Sequence, residues 1–228
     1  MNRTIEIITT EDGSNSLFFK ELDETYHSTH GAIQESNHVF IKSGLAFLMQ
    51  LHGQKENSTI NILEIGFGTG LNAMLTLEKS LSEKQQLNYT TFEPFPIPLK
   101  VIEKLNYFSF FDKKLHQQIQ ELHFVSWNKI HKINTYFTFE KKELGLENLA
   151  IKNQFDLVYF DAFAPNKQAE MWELEMLENI FFSLKKEGIL VTYCAKGVFR
   201  RLLQSLGFEV ERIPGPPGKR EMIRAVKK

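Results

Sequence analysis

Apolar positions along this chain fall into two patterns, short continuous runs and stretches at helical spacing, and the two alternate. Over 35–52, Ile41, Leu45, Leu48 and Leu51 recur at intervals of four, three and three, with Phe40 and Phe47 widening the stripe, so a helix with one buried face is expected. Residues 26–41 are small and polar at their start and read as a loop feeding that helix. INILEIG at 60–66 is a run of strand length ending on glycine, and LNAMLTLEKSL at 71–81 returns to helical spacing. LNYTTFE at 87–93, the turn EPFPIP and a helical stretch at 99–106 repeat the unit. The middle of the chain predicts a helix at 112–121 and strands at 122–125 and 135–139. FDLVYFDAF at 155–163 is apolar but for two acids, as in a parallel strand buried on both faces. A helix over 170–184, the strand ILVTYC, a helix over 197–207 and two strand-like arms around PGPPG complete the pattern. Repeated strand–helix units predict a doubly wound, mostly parallel α/β sheet with a C-terminal antiparallel hairpin.

Composition narrows the class. With 228 residues, 42% of them hydrophobic and 24% charged, the chain suits one globular domain and excludes a disordered or collagen-like segment. Cys194 is the single cysteine, which rules out a disulfide framework or a cysteine-built metal centre and suits a reducing compartment. The N-terminus carries acids and no apolar leader, and no run is long enough to span a bilayer; a cytoplasmic protein without a membrane partner is expected. The net charge of −1 conceals an uneven distribution. From Lys185 onward the chain carries a surplus of seven positive charges, so it either presents a basic face to phosphates or ends in a solvated basic tail.

Candidate chemistry gathers at strand ends. In Glu64-Ile65-Gly66-Phe67-Gly68-Thr69-Gly70 the alternate glycines let the backbone turn tightly and approach a ligand. The spacing is neither that of a dinucleotide loop nor, lacking a following lysine, that of a P-loop. An acid ahead of the first glycine suits an amino acid's ammonium group, and Glu93, at the end of the next strand, suits a ribose diol. Together they describe a nucleoside bearing an amino acid, S-adenosylmethionine; the alternatives are a bare turn and a surface acid. Asp161, in FDAFAP, stands where open α/β sheets keep their sites, either to orient an amine and take its proton or to cap a loop. Asp156, at the strand's other end, reads as a cap or surface charge, Phe163 and Trp172 as aromatics facing either a base or the core, and Cys194 as packing. His27, His30 and His38 lack companion ligands at metal-binding spacing, so no metal is expected.

The segments YHSTHGAIQESNHVF, EIGFGTGLN, FEPFP, YFDAFAPNKQAEMW, TYCAKGVFRRLLQSLGF and PGPPGKREM resemble the methyltransferase domain of the MnmC family and its stand-alone relatives. The resemblance implies a Rossmann-like class I methyltransferase fold filling 1–228 as one domain, with an N-terminal extension over about 1–55. It implies methyl transfer from S-adenosylmethionine to the aminomethyl nitrogen of 5-aminomethyl-(2-thio)uridine at the tRNA wobble position, giving the 5-methylaminomethyl form. Carried over by position, Glu64, Gly66, Phe67, Gly68, Gly70 and Asn72 match the cofactor loop, Glu93 the ribose acid, Asp161 the catalytic aspartate and Glu35 an acid that either faces the cofactor or stands behind the residues that do. The implied partner is the tRNA anticodon loop, with Lys196, Arg200, Arg201, Lys219 and Arg220 as candidates to hold its phosphates. No FAD-dependent oxidase domain is expected in the chain, so a separate oxidase or upstream modification enzyme would supply the amine. Two positions depart from the family: Ala169 stands where proline is common, and Phe139-Glu140 replaces the Gly-Asp that often meets adenine. An aminopropyltransferase on a similar fold and a non-enzymatic RNA-binding module are the competing readings.

Overall fold

The computed structural model describes residues 4–52 and 58–228. It opens with an antiparallel meander of β1 (Ile5–Thr9), β2 (Asn15–Phe19) and β3 (Glu24–Thr25), a sheet that the apolar pattern of the N-terminal 55 residues does not predict. β1 is only partly buried and β3 is two residues long, so no apolar run announces them. The signal that does is Asp12-Gly13 in the first connection, with Gly13 at φ +82 as a tight reversal requires.

Helical winding then runs from Ala32 to His52 as α1 (Ala32–Ser36), a wider π-type stretch (Asn37–Ala46) and α2 (Phe47–His52). Ile41, Leu45 and Leu48 are buried as their spacing predicts, whereas Leu51 is 58% exposed. Each π-type turn takes up more than 3.6 residues, so the buried stripe falls out of phase before it reaches Leu51.

The remaining elements are β4 (Ile60–Ile65), α3 (Leu71–Glu83), β5 (Leu87–Phe92), α4 (Leu99–Ile102), α5 (His116–Phe124), β6 (Ile130–Lys132), β7 (Phe137–Lys142), β8 (Phe155–Phe160), α6 (Leu174–Ser183), β9 (Leu184–Thr192), α7 (Gly197–Ser205), β10 (Phe208–Pro214) and β11 (Glu221–Lys227). Residues 122–124, expected as the start of a strand, instead close α5, because Ile119 and Leu122 share a helical face and are both fully buried. The helix expected over 99–106 is the single turn α4.

The main sheet has the order β10-β11-β9-β8-β4-β5-β7-β6. β7, β5, β4, β8 and β9 run parallel, and β11 inserts antiparallel between β9 and β10 as the expected hairpin. The chain moves to one side of β4 with β5 and to the other with β8, so a crevice opens at their carboxyl ends. On one face Ile62, Tyr89, Leu157, Tyr159 and Val191 meet the helical stretch 32–52 and α3; on the other, Leu63, Val158, Phe160 and Leu190 meet α6 and α7. Among the described residues no helix is long and apolar enough to cross a membrane.

Gly44 marks the closest approach of the N-terminal helix to the sheet: a Cβ there would stand 3.0 Å from Val191 Cγ2 and 3.3 Å from the Tyr159 ring. Gly44→Val should therefore overpack this contact and cost about 1–3 kcal/mol, read as a lowered urea midpoint at unchanged slope. An unchanged midpoint would show that the helix has room to move away.

Candidate active site

The carboxyl ends of β4, β5 and β8 are joined by backbone hydrogen bonds that fix where their loops begin. Gly66 N–H donates to Phe92 O at 3.0 Å and Asp161 N–H to Ile65 O at 3.0 Å. Gly66, at φ +93, lies so close to Asp161 that a Cβ would stand 2.6 Å from its carbonyl oxygen. At φ +76, Gly70 begins α3, and a Cβ there would meet the His123 ring at 2.6 Å. Only glycine fits either place.

The loop 65–69 forms one wall of a cavity of about 1060 Å³. Glu93 lines it just beyond β5, accepting the N–H groups of Gly68 at 3.1 Å and Phe95 at 2.8 Å. Asp161, half-buried beyond β8, lines it too and accepts from Asn72 Nδ2 at 2.8 Å. Burial first, and the Glu35 carboxylate second, push the Asp161 carboxyl up to about 7, against the pull of Asn72 and Lys219. Glu35 lines the same cavity, accepting Ser28 N–H at 2.7 Å and pairing with Lys219. The opposite wall comes from the N-terminal meander and the loop after β8, with Tyr26 edge-on to Phe163 at 5.0 Å and Phe19 at 6.2 Å from the same ring.

Several candidates lie elsewhere. Gly66, Phe67 and Gly68 line the cavity, but Glu64, Gly70 and Asn72 do not. Glu64 is completely buried beneath the loop, beside Tyr89, Thr91 and Asn72, and neither of its oxygens has a hydrogen-bond partner of good geometry. It therefore supports the loop from below rather than facing a ligand. Burial pushes its carboxyl up to about 8, so it stays protonated at neutral pH. Trp172 is core: its ring packs 4.6 Å from Phe160 and 4.9 Å from Phe199, and its N–H donates to Phe163 O. Phe139 is buried among Phe67, Tyr89 and Phe137. The cavity wall at that end is Gly145–Glu147, in the loop after β7.

Of the five candidate cations, Lys196, Arg201 and Arg220 are exposed on or beside α7 and at the hairpin turn. Arg200 is half-buried, with its Nε sequestered and unpartnered. Lys219 turns into the cavity instead of toward solvent phosphates. Sequence reasoning did not single out Tyr193, which lines the cavity with its hydroxyl donating to Ala162 O at 2.8 Å, or the role of His27, whose Nε2 meets the buried Thr69 hydroxyl at 2.7 Å. Burial pushes the His27 imidazole down to about 4, so it is neutral there. The three N-terminal histidines serve different partners: His30 meets Glu11, and His38 the carbonyl of Pro214.

This arrangement can hold an extended ligand against a glycine loop with one carboxylate at its flank and another at its reacting end. A family model described as S-adenosyl-L-methionine-dependent methyltransferase matches residues 109–228, more than half the chain. The chain belongs to this family. The cofactor of these methyltransferases is S-adenosylmethionine, and the glycine-lined cavity fits it: residues 66–68 line the space, and Glu93 and Asp161 reach it from neighbouring strands.

Similarity extends beyond the matched residues. The tRNA 5-methylaminomethyl-2-thiouridine biosynthesis bifunctional protein MnmC of Leptospira interrogans is 31% identical over 215 residues, covering 90% of this chain and 32% of the relative. The protein of the same name from Hydrogenovibrio crunogenus is 31% identical over 88% of this chain and 31% of its own. The chain thus spans about a third of the length of these curated relatives. The crystal structure of MNMC2 from Aquifex aeolicus superposes on 100% of this chain and 71% of that one, with a TM-score of 0.80 at 27% identity. Spermidine synthase from Thermotoga maritima, at 13% identity and a TM-score of 0.61, shares the fold.

Glu64 supplies a test of the buried support. Its proton is retained in the folded protein up to about pH 8 but lost from the unfolded chain near 4.5, so its contribution to stability declines as pH rises between those values. Glu64→Gln should remove that decline, gaining about 3 kcal/mol on the wild type between pH 5 and pH 8 in urea titrations. A difference independent of pH would mean that Glu64 is not held protonated.

Proposed function

We propose that this methyltransferase transfers the methyl group of S-adenosylmethionine to the aminomethyl nitrogen of 5-aminomethyl-(2-thio)uridine at the tRNA wobble position. The observation that carries the reading is the Asp161 carboxylate, half-buried on the lining of the same cavity as the aromatic pair Tyr26 and Phe163. The alignment with MnmC proteins over about 90% of the chain supports the choice of substrate. An acid-rich rim supports it as well: Glu21, Asp23, Glu147 and Glu170 are exposed on the cavity lining, and the nearby Lys167 is engaged by Asp23 at 3.4 Å. Such a rim attracts an amine and repels phosphate.

When bound, the cofactor supplies a methyl group activated on a sulfonium. Gly66, Phe67 and Gly68 would hold its amino-acid portion, Glu93 its ribose hydroxyls, and Gly145–Glu147 the adenine end; carboxylate oxygens accept more than one bond, so Glu93 can serve the loop and a diol together. Glu35, paired with Lys219 on the same cavity, would face the cofactor. The substrate amine is protonated in water and nucleophilic only once a lone pair is exposed. Asp161 takes that proton, and Asn72 holds the carboxylate in place as it does so. Phe163 and Tyr26 give the splayed base an aromatic surface, and Lys196, Arg201 and Arg220 meet the flanking phosphates of the anticodon loop outside the acid rim. The primary amine has to be supplied by a preceding reaction on the same uridine.

Incubating the protein with labelled S-adenosylmethionine and tRNA lacking this modification, then digesting to nucleosides, should put the label in the 5-methylaminomethyl product; no labelled nucleoside overturns the reading. Asp161→Asn should lower the single-turnover rate about 10²–10⁴-fold while preserving the fold, and the wild-type rate should climb with pH through about 7 as the carboxyl loses its proton. Glu93→Ala should weaken cofactor binding about tenfold or more in calorimetric titration, through loss of a charged acceptor worth about 1.5–3 kcal/mol.

A further inference from the structure

Two segments far apart in the chain meet at the reaction end of the cavity. The hairpin turn between β10 and β11 brings Lys219 against Glu35 of α1, and Gly218, at φ +81, lies where any side chain would collide with the His30 ring. His38 adds a third link, its Nε2 lying 2.8 Å from Pro214 O. The Lys219 ammonium is enclosed on two sides: the Glu35 carboxylate on one, and on the other the Tyr193 ring, whose centroid is 4.0 Å away and whose hydroxyl is tied to Ala162 O. Glu35 is almost wholly buried, with its second oxygen held by Ser28 N–H. An ammonium so engaged is poorly placed to hold a phosphate.

We infer that Lys219 is a positioning residue of the reaction centre: held between Glu35 and Tyr193, its ammonium sets the charge that faces the Asp161 carboxyl and ties the hairpin turn across the cavity to the N-terminal helix. The inference rests on the reading of Asp161 as the proton acceptor. The titratable groups that act on Asp161 are Glu35 on α1, Lys219 on the hairpin turn, Tyr193 after β9, Glu64 on β4 and Tyr89 on β5, the last three neutral, with Asn72 of α3 bonded to it. His27, beside Glu35 and Lys219, is neutral. Of these, Glu35 and Lys219 are the two opposed full charges that act on Asp161, and each hides the other. With Lys219 in place, the Glu35 carboxylate disfavours the ionised form of Asp161 less than it would alone, and Asp161 can release its proton near neutrality to serve as the base.

The test is a carboxyl ¹³C titration of Asp161 by NMR in the protein without substrate or cofactor, so it stays readable even if the wild type methylates no RNA, the result that would sink the functional proposal itself. Lys219→Met should raise the Asp161 midpoint by about one unit and Glu35→Gln should lower it, because the two remove opposite charges. Lys219→Arg should leave it near the wild-type value, and with Glu35→Gln keeps the question decidable if Lys219→Met does not fold. In single-turnover methyl transfer the rising limb of the pH profile should move the same way in each variant. A purely structural role would lower the melting temperature in both variants without opposed titration shifts. Midpoints that stay fixed or move in the same direction overturn the inference. So does a Lys219→Met variant whose tRNA binding loses salt dependence while the Asp161 midpoint stays put, since Lys219 would then hold phosphate.

Discussion

The site depends on how closely two parallel strands are brought together where they end. β4 and β8 are paired in register from Ile62–Leu157 to Ile65–Phe160, and the next link, Asp161 N–H to Ile65 O, carries the pairing one residue past the strands. At that point Gly66 has no room for a side chain against the Asp161 backbone. The contact settles three things together. It turns the chain into the glycine loop, sends Asp161 along the cavity wall, and leaves the crevice between the two loops as the place where a ligand lies. A side chain at Gly66 would force the strands apart and move Asp161 away from the loop in the same displacement.

Beneath this contact the protein carries polar groups that a core built only for stability would lack. Glu64, Tyr89, Thr91 and Asn72 place side-chain atoms in the interior without good partners. Buried polar atoms of this kind cost free energy when left unpaired. Their neighbours are Asp161 and the loop, so the cost is concentrated under the site, and the aromatic packing of Tyr89, Phe137, Phe139 and Tyr159 surrounds it. Lys141 follows a similar pattern: it is almost fully buried, donates to His123 O, and lies over the rings of Trp127 and Phe67, the latter from the glycine loop itself.

The inner strands β4 and β8 were legible because they are buried on both faces and read as largely apolar runs, whereas β6, three residues long and mostly exposed, has no such run. The glycine loop, Glu93 and Asp161 stood out for the same reason, since each stands at the end of a run that is easily seen, and the structure brings residues 66–68, Glu93 and Asp161 to one cavity. What escaped was built from contacts distant in sequence. The meander β1–β3 is stabilised by pairing and by links such as Asn15 to Asn106, and its strands, of five, five and two residues, are too short to give a period. Glu64 satisfied the motif and yet is hidden, because a motif records residue order and not which side of a strand faces the cavity. Lys219 read as a candidate to hold tRNA phosphates; only its pairing with Glu35, across most of the chain, shows that its charge is already engaged.

The strand order has a consequence for how the enzyme is made. β11 lies between β9 and β10, so an emerging chain that stops short of residue 221 has β9 exposed along one edge and β10 with no strand to join. The wall that includes Lys219 also comes late: a chain that stops short of residue 219 lacks it, although the glycine loop, Glu93 and Asp161 have long since been synthesised. On the ribosome, therefore, the glycine-loop side of the cavity comes first and the wall across from the N-terminal helix last. Vectorial synthesis separates the parts of one cavity in time, and leaves the open edge of β9 as the part of the nascent protein most exposed to mispairing.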